Sequence, residues 1–429
     1  MQHRGTFCAS CKTAVVIWAV SLLPAAWAKG QENWPRFRGP NGQGSSACKS
    51  VPTRWSQEDV QWRVTLPGGG HSSPVVWGNR VFVTCADAKE SKGLVVCVNA
   101  SNGSRLWRRE YDLDKYPLNR LNSYATATPA ADAERVYVLW PGAEETRLVA
   151  LTHEGREVWA VKLAGVHSRH GLGSSPVVCG DLVVIAHEQD ENNDEVPSEW
   201  LAVEGRSGEI RWRYRHRRNT EASYSTPCIY NDGRGQSVLI FASNSHGIAG
   251  VDPETGRLLW QAESALPARV VSSPVLLDGS VAGTCGQGGR GVRLAVVKPA
   301  VADGSFEARE AYGVKSRTVP YVPTSVAQDG LLFTFHDGGV VSCLRGDTGE
   351  VVWSEKPAGR FYGSPVCVNG ILYCVTIDGD VVVLEAAAAY KLLAVNPLGE
   401  KSHATPAVAA GRMYLRTFTQ LICVGAAAK

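Results

Sequence analysis

Eight times along this chain a short Ser/Thr-Pro-Val run leads into a turn and an alternating apolar strand, and that repetition limits the fold more than any other feature. The clear copies are HSSPVVWGNRVFV from His71, GSSPVVCGDLVVI from Gly173, VSSPVLLDGSVAG from Val271, FYGSPVCVNGILYCV from Phe361 and HATPAVAAGRMYL from His403. Weaker copies start at Thr126, Tyr224 and Tyr321. The anchors are Pro74, Pro129, Pro176, Pro227, Pro274, Thr324, Pro365 and Pro406, spaced by 55, 47, 51, 47, 50, 41 and 41 residues. A second motif follows most anchors. It is an apolar strand, a turn built on Gly, and a strand carrying Trp, as at Trp107, Trp159, Trp212, Trp260 and Trp353. The fifth and seventh copies lack the Trp, and Tyr312 and Leu393 are the candidates to replace it.

A unit of this length with four short strands cannot bury both of its faces alone. Stacked radially, each unit covers the next, and closing the ring leaves only short edges. The sequence therefore predicts an all-β fold, an eight-bladed β-propeller with negligible helix. The eighth copy stops at LICVGAAAK without a last strand, while VQWRVTLPGG near the other end carries the orphan Trp62. Val60 to Leu66 is thus expected to pair with Leu421 to Val424 and close the ring. Residues 1–28 read as a secretory signal: Arg4 and Lys12, an apolar run from Ala14 to Leu23, and an Ala26-Trp27-Ala28 cleavage pattern. Residues 29–59 form an extension and residues 60–429 the propeller.

The net charge of +3 supplies no field that would argue for nucleic acid. Twelve cysteines suit an exported protein, but most lie inside apolar strands, and Cys97, Cys343 and Cys423 share one repeat position. That placement reads as buried core. A disulfide between Cys85 and Cys97 on neighbouring strands stays open.

The turn-plus-Trp motifs, above all VDPETGRLLW and LRGDTGEVVW, resemble the repeat of the PQQ-like β-propeller family, which includes quinoprotein dehydrogenases and BamB-type outer-membrane assembly lipoproteins. The run NWPRFRGPNGQG, Asn33 to Gly44, resembles the N-terminal segment of secreted bacterial PQQ-like repeat proteins. The resemblance implies a BamB-like architecture; with the signal and a repeat motif that is structural throughout, the expectation is a monomeric, secreted or periplasmic binding or scaffold protein, with an envelope protein or a small polar or aromatic ligand as partner. It leaves open a PQQ-type oxidoreductase or another enzyme acting in the propeller funnel. The family's oxidoreductases use adjacent cysteines, a Trp beneath the cofactor, calcium ligands and a catalytic Asp. This chain has no adjacent Cys pair and no C-x-x-C-H haem motif, so no cofactor is expected. No segment beyond the signal is expected to span a membrane.

Inner strands of a propeller line its axis, so one repeat position from each blade should meet at the channel mouth. Three residues before the anchors lie His71, Thr126, Gly173, Tyr224, Val271, Tyr321, Tyr362 and His403, with Tyr124, His170 and Arg269 close by. From these the expected ligand-binding set is His71, Tyr124, His170, Tyr224, Arg269, Tyr321, Tyr362 and His403. Flat faces with polar tips suit sugars, aromatic ligands or peptide segments. The plainer reading, blade-to-blade hydrogen bonding around a solvent-filled channel, explains the same residues. The pairs His167 with His170 and His71 with His403 lack a third ligand, so no metal site is expected. Arg211, Arg213, Arg215 and Arg217 alternate with Trp212 and Tyr214 and would put a basic stripe on one strand face, protecting an edge or meeting an anionic partner. The acidic run Gln189 to Glu195 reads as a solvated hairpin loop, and Gly286 to Gly291 as a β-turn.

Overall fold

The computed structural model describes residue 1 and residues 33–46, 48, 51–190, 196–216, 221–231, 236–302, 305–316 and 319–425. The signal-like segment, Arg217 and most of the acidic run lie outside these residues. The chain divides into two compact units, residues 1–31 and 32–429, and the second holds all the sheets.

Eight antiparallel sheets make the eight blades, at residues 75–112, 130–164, 177–215, 228–262, 275–314, 326–355, 366–397 and 407–425, the last completed by Val60–Thr65. The two middle strands of a blade are buried on both faces, because blades stack on either side of them. Val81, Phe82 and Val83 are buried, and so are Val95, Val96 and Cys97. Outer strands alternate between exposed and covered positions, as Ile210–Arg215 does. Ring closure follows the expected register, with Val60 opposite Val424, Trp62 opposite Cys423 and Val64 opposite Leu421. Cys97, Cys343 and Cys423 occupy equivalent buried positions between an aromatic of the preceding strand and a Trp of the next. Cys85 and Cys97 lie three register places apart, on opposite faces of blade 1, and are free thiols.

The Gly-Trp motif works between blades. Trp107 Nε1 donates to His153 O, Trp159 Nε1 to Gly205 O and Trp212 Nε1 to Pro253 O, each on the hairpin of the following blade. Gly256 shows why that hairpin needs glycine. Its φ is +71°, and a Cβ there would lie 2.5 Å from the Trp212 ring. In blade 5 Tyr312 takes the Trp role, its hydroxyl donating to Gly346 O at 2.8 Å. In blade 7 the register puts Ala394, not Leu393, at the Trp position. The room is taken by residues 51–55, which bond to Asn396 through Thr53 O and Trp55 N.

Residues 33–46 cross the channel. Trp34 bridges to Val76 of blade 1, Asn41 holds Ile229 of blade 4, and Ser45–Ser46 adds a short parallel strand to blade 7. Arg38, fully buried, donates to the carbonyls of Gly42, Gln43, Thr324, Ser325 and Pro365. Its cost of burial is offset by five oxygens rather than by a carboxylate.

Candidate functional site

The residue just before seven of the eight anchors is Ser or Thr, at the sixth the anchor Thr324 is itself the hydroxyl residue, and these eight side chains form a closed circle. Ser73 N–H donates to Thr128 Oγ1, Thr128 N–H to Ser175 Oγ, Ser175 N–H to Thr226 Oγ1 and Thr226 N–H to Ser273 Oγ. Ser273 N–H donates to Thr324 Oγ1, Thr324 N–H to Ser364 Oγ, Ser364 N–H to Thr405 Oγ1 and Thr405 N–H back to Ser73 Oγ. All eight bonds measure 2.9–3.1 Å. The circle corrects one anchor. Thr324 belongs to the hydroxyl position, so the sixth anchor is Ser325, and Val322 rather than Tyr321 lies three residues before it.

Seven of these hydroxyl residues, with Phe37 of the crossing segment, form the buried end of a cavity of about 440 Å³. His71, Thr126, Gly173, Tyr224, Val271, Tyr321, Tyr362 and His403 all line it, as do His170 and Arg269. Leu121, Gly288 and Gly289 give it an exposed rim. Tyr124 is the expected member that turns away. It packs edge-on against Tyr116 and donates its hydroxyl to Tyr116 O at 3.0 Å.

The cavity has two unlike sides. On one, His71 and His403 lie with ring centroids 4.6 Å apart, and Tyr362 and Phe418 flank them at 4.9 and 5.0–5.1 Å. Burial, then His403, then Arg416 push the His71 pKa down to about 3; burial and Lys401 push His403 to about 4 against a bond to Leu121 O. Both rings are therefore neutral at physiological pH. The other side holds Arg269, whose guanidinium lies 3.2 Å from Glu221 and 3.7 Å from Asp190 and bonds the Tyr321 phenol. Burial raises the phenol pKa of Tyr224, which hydrogen-bonds Ser168 at 2.9 Å, and that of Tyr321. Asp337, buried beside them, accepts from the Tyr321 and Val322 amides at 2.7 and 3.0 Å. Burial raises its pKa. His170 is held by Asn119 and Asn122, and burial and Arg269 lower its pKa.

Sequence reading missed Asp337, Asn119 and Asn122, which come from loops outside the repeat. It also missed the hydroxyl circle, although the Ser/Thr before seven of the eight anchors was its visible signal. Gln189 and Asp190, read as the start of a solvated loop, are buried because Asp190 accepts from Ala222 and Arg169 and pairs with Arg269. The GQGGRG run forms the expected turn. On the outer strand of blade 3, Arg213 and Arg215 pair with Glu199, and Arg211 with Glu204. Their charge is thus partly answered across the strand. Among the described residues no group of three His, Cys, Asp or Glu is placed to hold a metal, and no helix is long and apolar enough to cross a membrane.

A family model described as outer membrane protein assembly factor BamB matches residues 91–321 and 310–417. The outer membrane protein assembly factor BamB of Yersinia pestis is 22% identical over 356 residues, covering 78% of this chain and 80% of that protein. The crystal structure of BamB from Moraxella catarrhalis superposes with a TM-score of 0.60 at 15% identity, over 86% of this chain and 98% of that one. The quinohemoprotein alcohol dehydrogenase of Comamonas testosteroni superposes with a TM-score of 0.65 at 13% identity, over 93% and 81%. At such identities the two superpositions speak for the fold alone.

Proposed function

Since the chain belongs to the PQQ-like β-propeller family described as outer membrane protein assembly factor BamB, we propose that it is an exported envelope protein that works by binding, with the axial cavity as its recognition site. The signal-like residues 1–28 and the family's protein-assembly description support export and a protein partner. The cavity takes an uncharged polar or aromatic group presented by that partner, the protein itself being a monomer. One observation carries it: six polar aromatic side chains, His71, His170, Tyr224, Tyr321, Tyr362 and His403, converge above the hydroxyl circle, in a volume suited to a small ligand group. His71 and His403 are neutral there, and Arg269 already faces two carboxylates. A strongly ionic ligand would meet no free counter-charge in those groups.

The same wall suits PQQ poorly. Among the described residues no Trp or Cys lines it, Asp337 is the only carboxylate, and the one Arg, Arg269, is engaged. No cofactor is assigned to this cavity.

The test is site-specific photocrosslinking in intact cells. A photoreactive residue replacing Leu121 at the rim should capture a discrete envelope protein, and Tyr321→Ala with Tyr362→Ala should weaken that partner's binding by about 1–3 kcal/mol while leaving the fold intact. Capture only from positions 211, 213 or 215, insensitive to the Tyr changes, would move the working surface to the outer basic strand.

A further inference from the structure

The crossing segment grips the channel by one repeated contact. The second residue after each anchor turns its backbone N–H toward the axis, and five of the eight meet an oxygen of residues 33–46. Val76 N–H donates to Trp34 O at 2.9 Å, Ala131 N–H to Pro35 O at 2.7 Å and Cys367 N–H to Gly44 O at 2.7 Å. Ile229 N–H donates to Asn41 Oδ1 at 2.8 Å and Leu276 N–H to Gln43 Oε1 at 2.7 Å.

Val178 holds this place in blade 3. It pairs with Val183 as Val76 pairs with Val81, so the alternation of the ladder sends its amide to the channel as well. No oxygen of the crossing segment reaches it, and it has no partner among the described residues.

Val178 lines a second cavity, of about 390 Å³, which shares no wall residue with the axial one. Arg36, Trp77, Ile229 and Pro35 line it too. Arg36 is 5% exposed; its Nη2 donates to Pro227 O, while Nε and Nη1 have no partner. The polar side chains of the wall that could answer it are engaged. Asp132 accepts from Glu134 N–H, Arg135 N–H and the Tyr137 hydroxyl, Asn41 bonds Ile229 through both side-chain atoms, and Asn231 accepts from Ser237. A buried guanidinium with two unanswered N–H edges favours an anion strongly.

We propose that this second cavity binds a small carboxylate with a compact apolar body. The carboxylate would sit between Arg36 and the Val178 amide, supplying blade 3 with the oxygen that the crossing segment supplies to five other blades. The body would lie against Trp77 and Ile229.

Calorimetric titration of the full chain with benzoate and with its neutral isostere benzamide tests this directly. Benzoate should bind one to one, and benzamide about tenfold more weakly or worse. Arg36→Gln should lower benzoate affinity by about tenfold, whereas Tyr321→Ala with Tyr362→Ala in the axial cavity should leave it unchanged. If Arg36→Gln fails to fold, Val178→Pro removes the amide at a channel edge where no ladder bond depends on it and should weaken benzoate likewise. Absence of benzoate binding, equal affinity for the two probes, or a loss on the Tyr changes with Arg36→Gln still binding would each overturn the proposal.

Discussion

The N–H of Thr405 in blade 8 donates to Ser73 Oγ in blade 1 at 3.1 Å and completes a circle of eight such bonds around the axis. Both residues are almost fully buried. Ser73→Ala would strand the Thr405 amide away from water, which costs about 1–3 kcal/mol. Urea unfolding should show a lower midpoint with an unchanged slope, because the loss is in stability and not in the surface exposed.

Trp62 ties the closing strand to both neighbours. Its ring lies 5.9 Å from Tyr414, and its Nε1 donates to Ala100 O of blade 1 at 3.0 Å. Trp62→Ala should therefore cost about 3–5 kcal/mol. Thermal unfolding should remain a single cooperative transition at lower temperature, since the ring opens at its one non-covalent seam.

Acid should weaken the fold through the paired histidines. Their folded pKa values, about 3 for His71 and about 4 for His403, lie below the ordinary 6.5. The unfolded chain then binds more protons over this range, so stability falls as pH drops from about 6.5 toward 4 and 3. The double change His71→Gln and His403→Gln should lose less thermal stability between pH 7 and pH 5 than the parent. Identical pH profiles would show that neither ring titrates with folding.

The cavity wall predicts the response to a quinone cofactor. Purified protein incubated with PQQ and calcium should show no stoichiometric binding in ultrafiltration and no dye-linked oxidation of alcohols or sugars. Tight binding with turnover would promote a redox role.

The repeat length, the Gly turns with their Trp wedges, and the strand that closes the ring were all legible in the sequence. The turns and wedges are local, since a glycine at φ +71° or an alternating apolar run carries the same signal in any fold that uses it. The closing strand was legible because the eighth copy lacks a last strand while Trp62 lacks a repeat before it. The repeat also placed eight residues at the channel mouth, and all eight line the cavity, even though the sixth anchor is one residue later than its pattern suggests. Tertiary structure alone decided which partners they found there. Tyr124 sits two residues before Thr126 yet bends to Tyr116. Arg269 meets Asp190 and Glu221, and Arg38 meets Thr324 and Pro365 some 290 and 330 residues away, because summed rotations of the blades bring them together. Such pairings depend on the direction of each side chain at the end of a long chain of packed elements. A one-dimensional pattern records the position of a residue and not that direction.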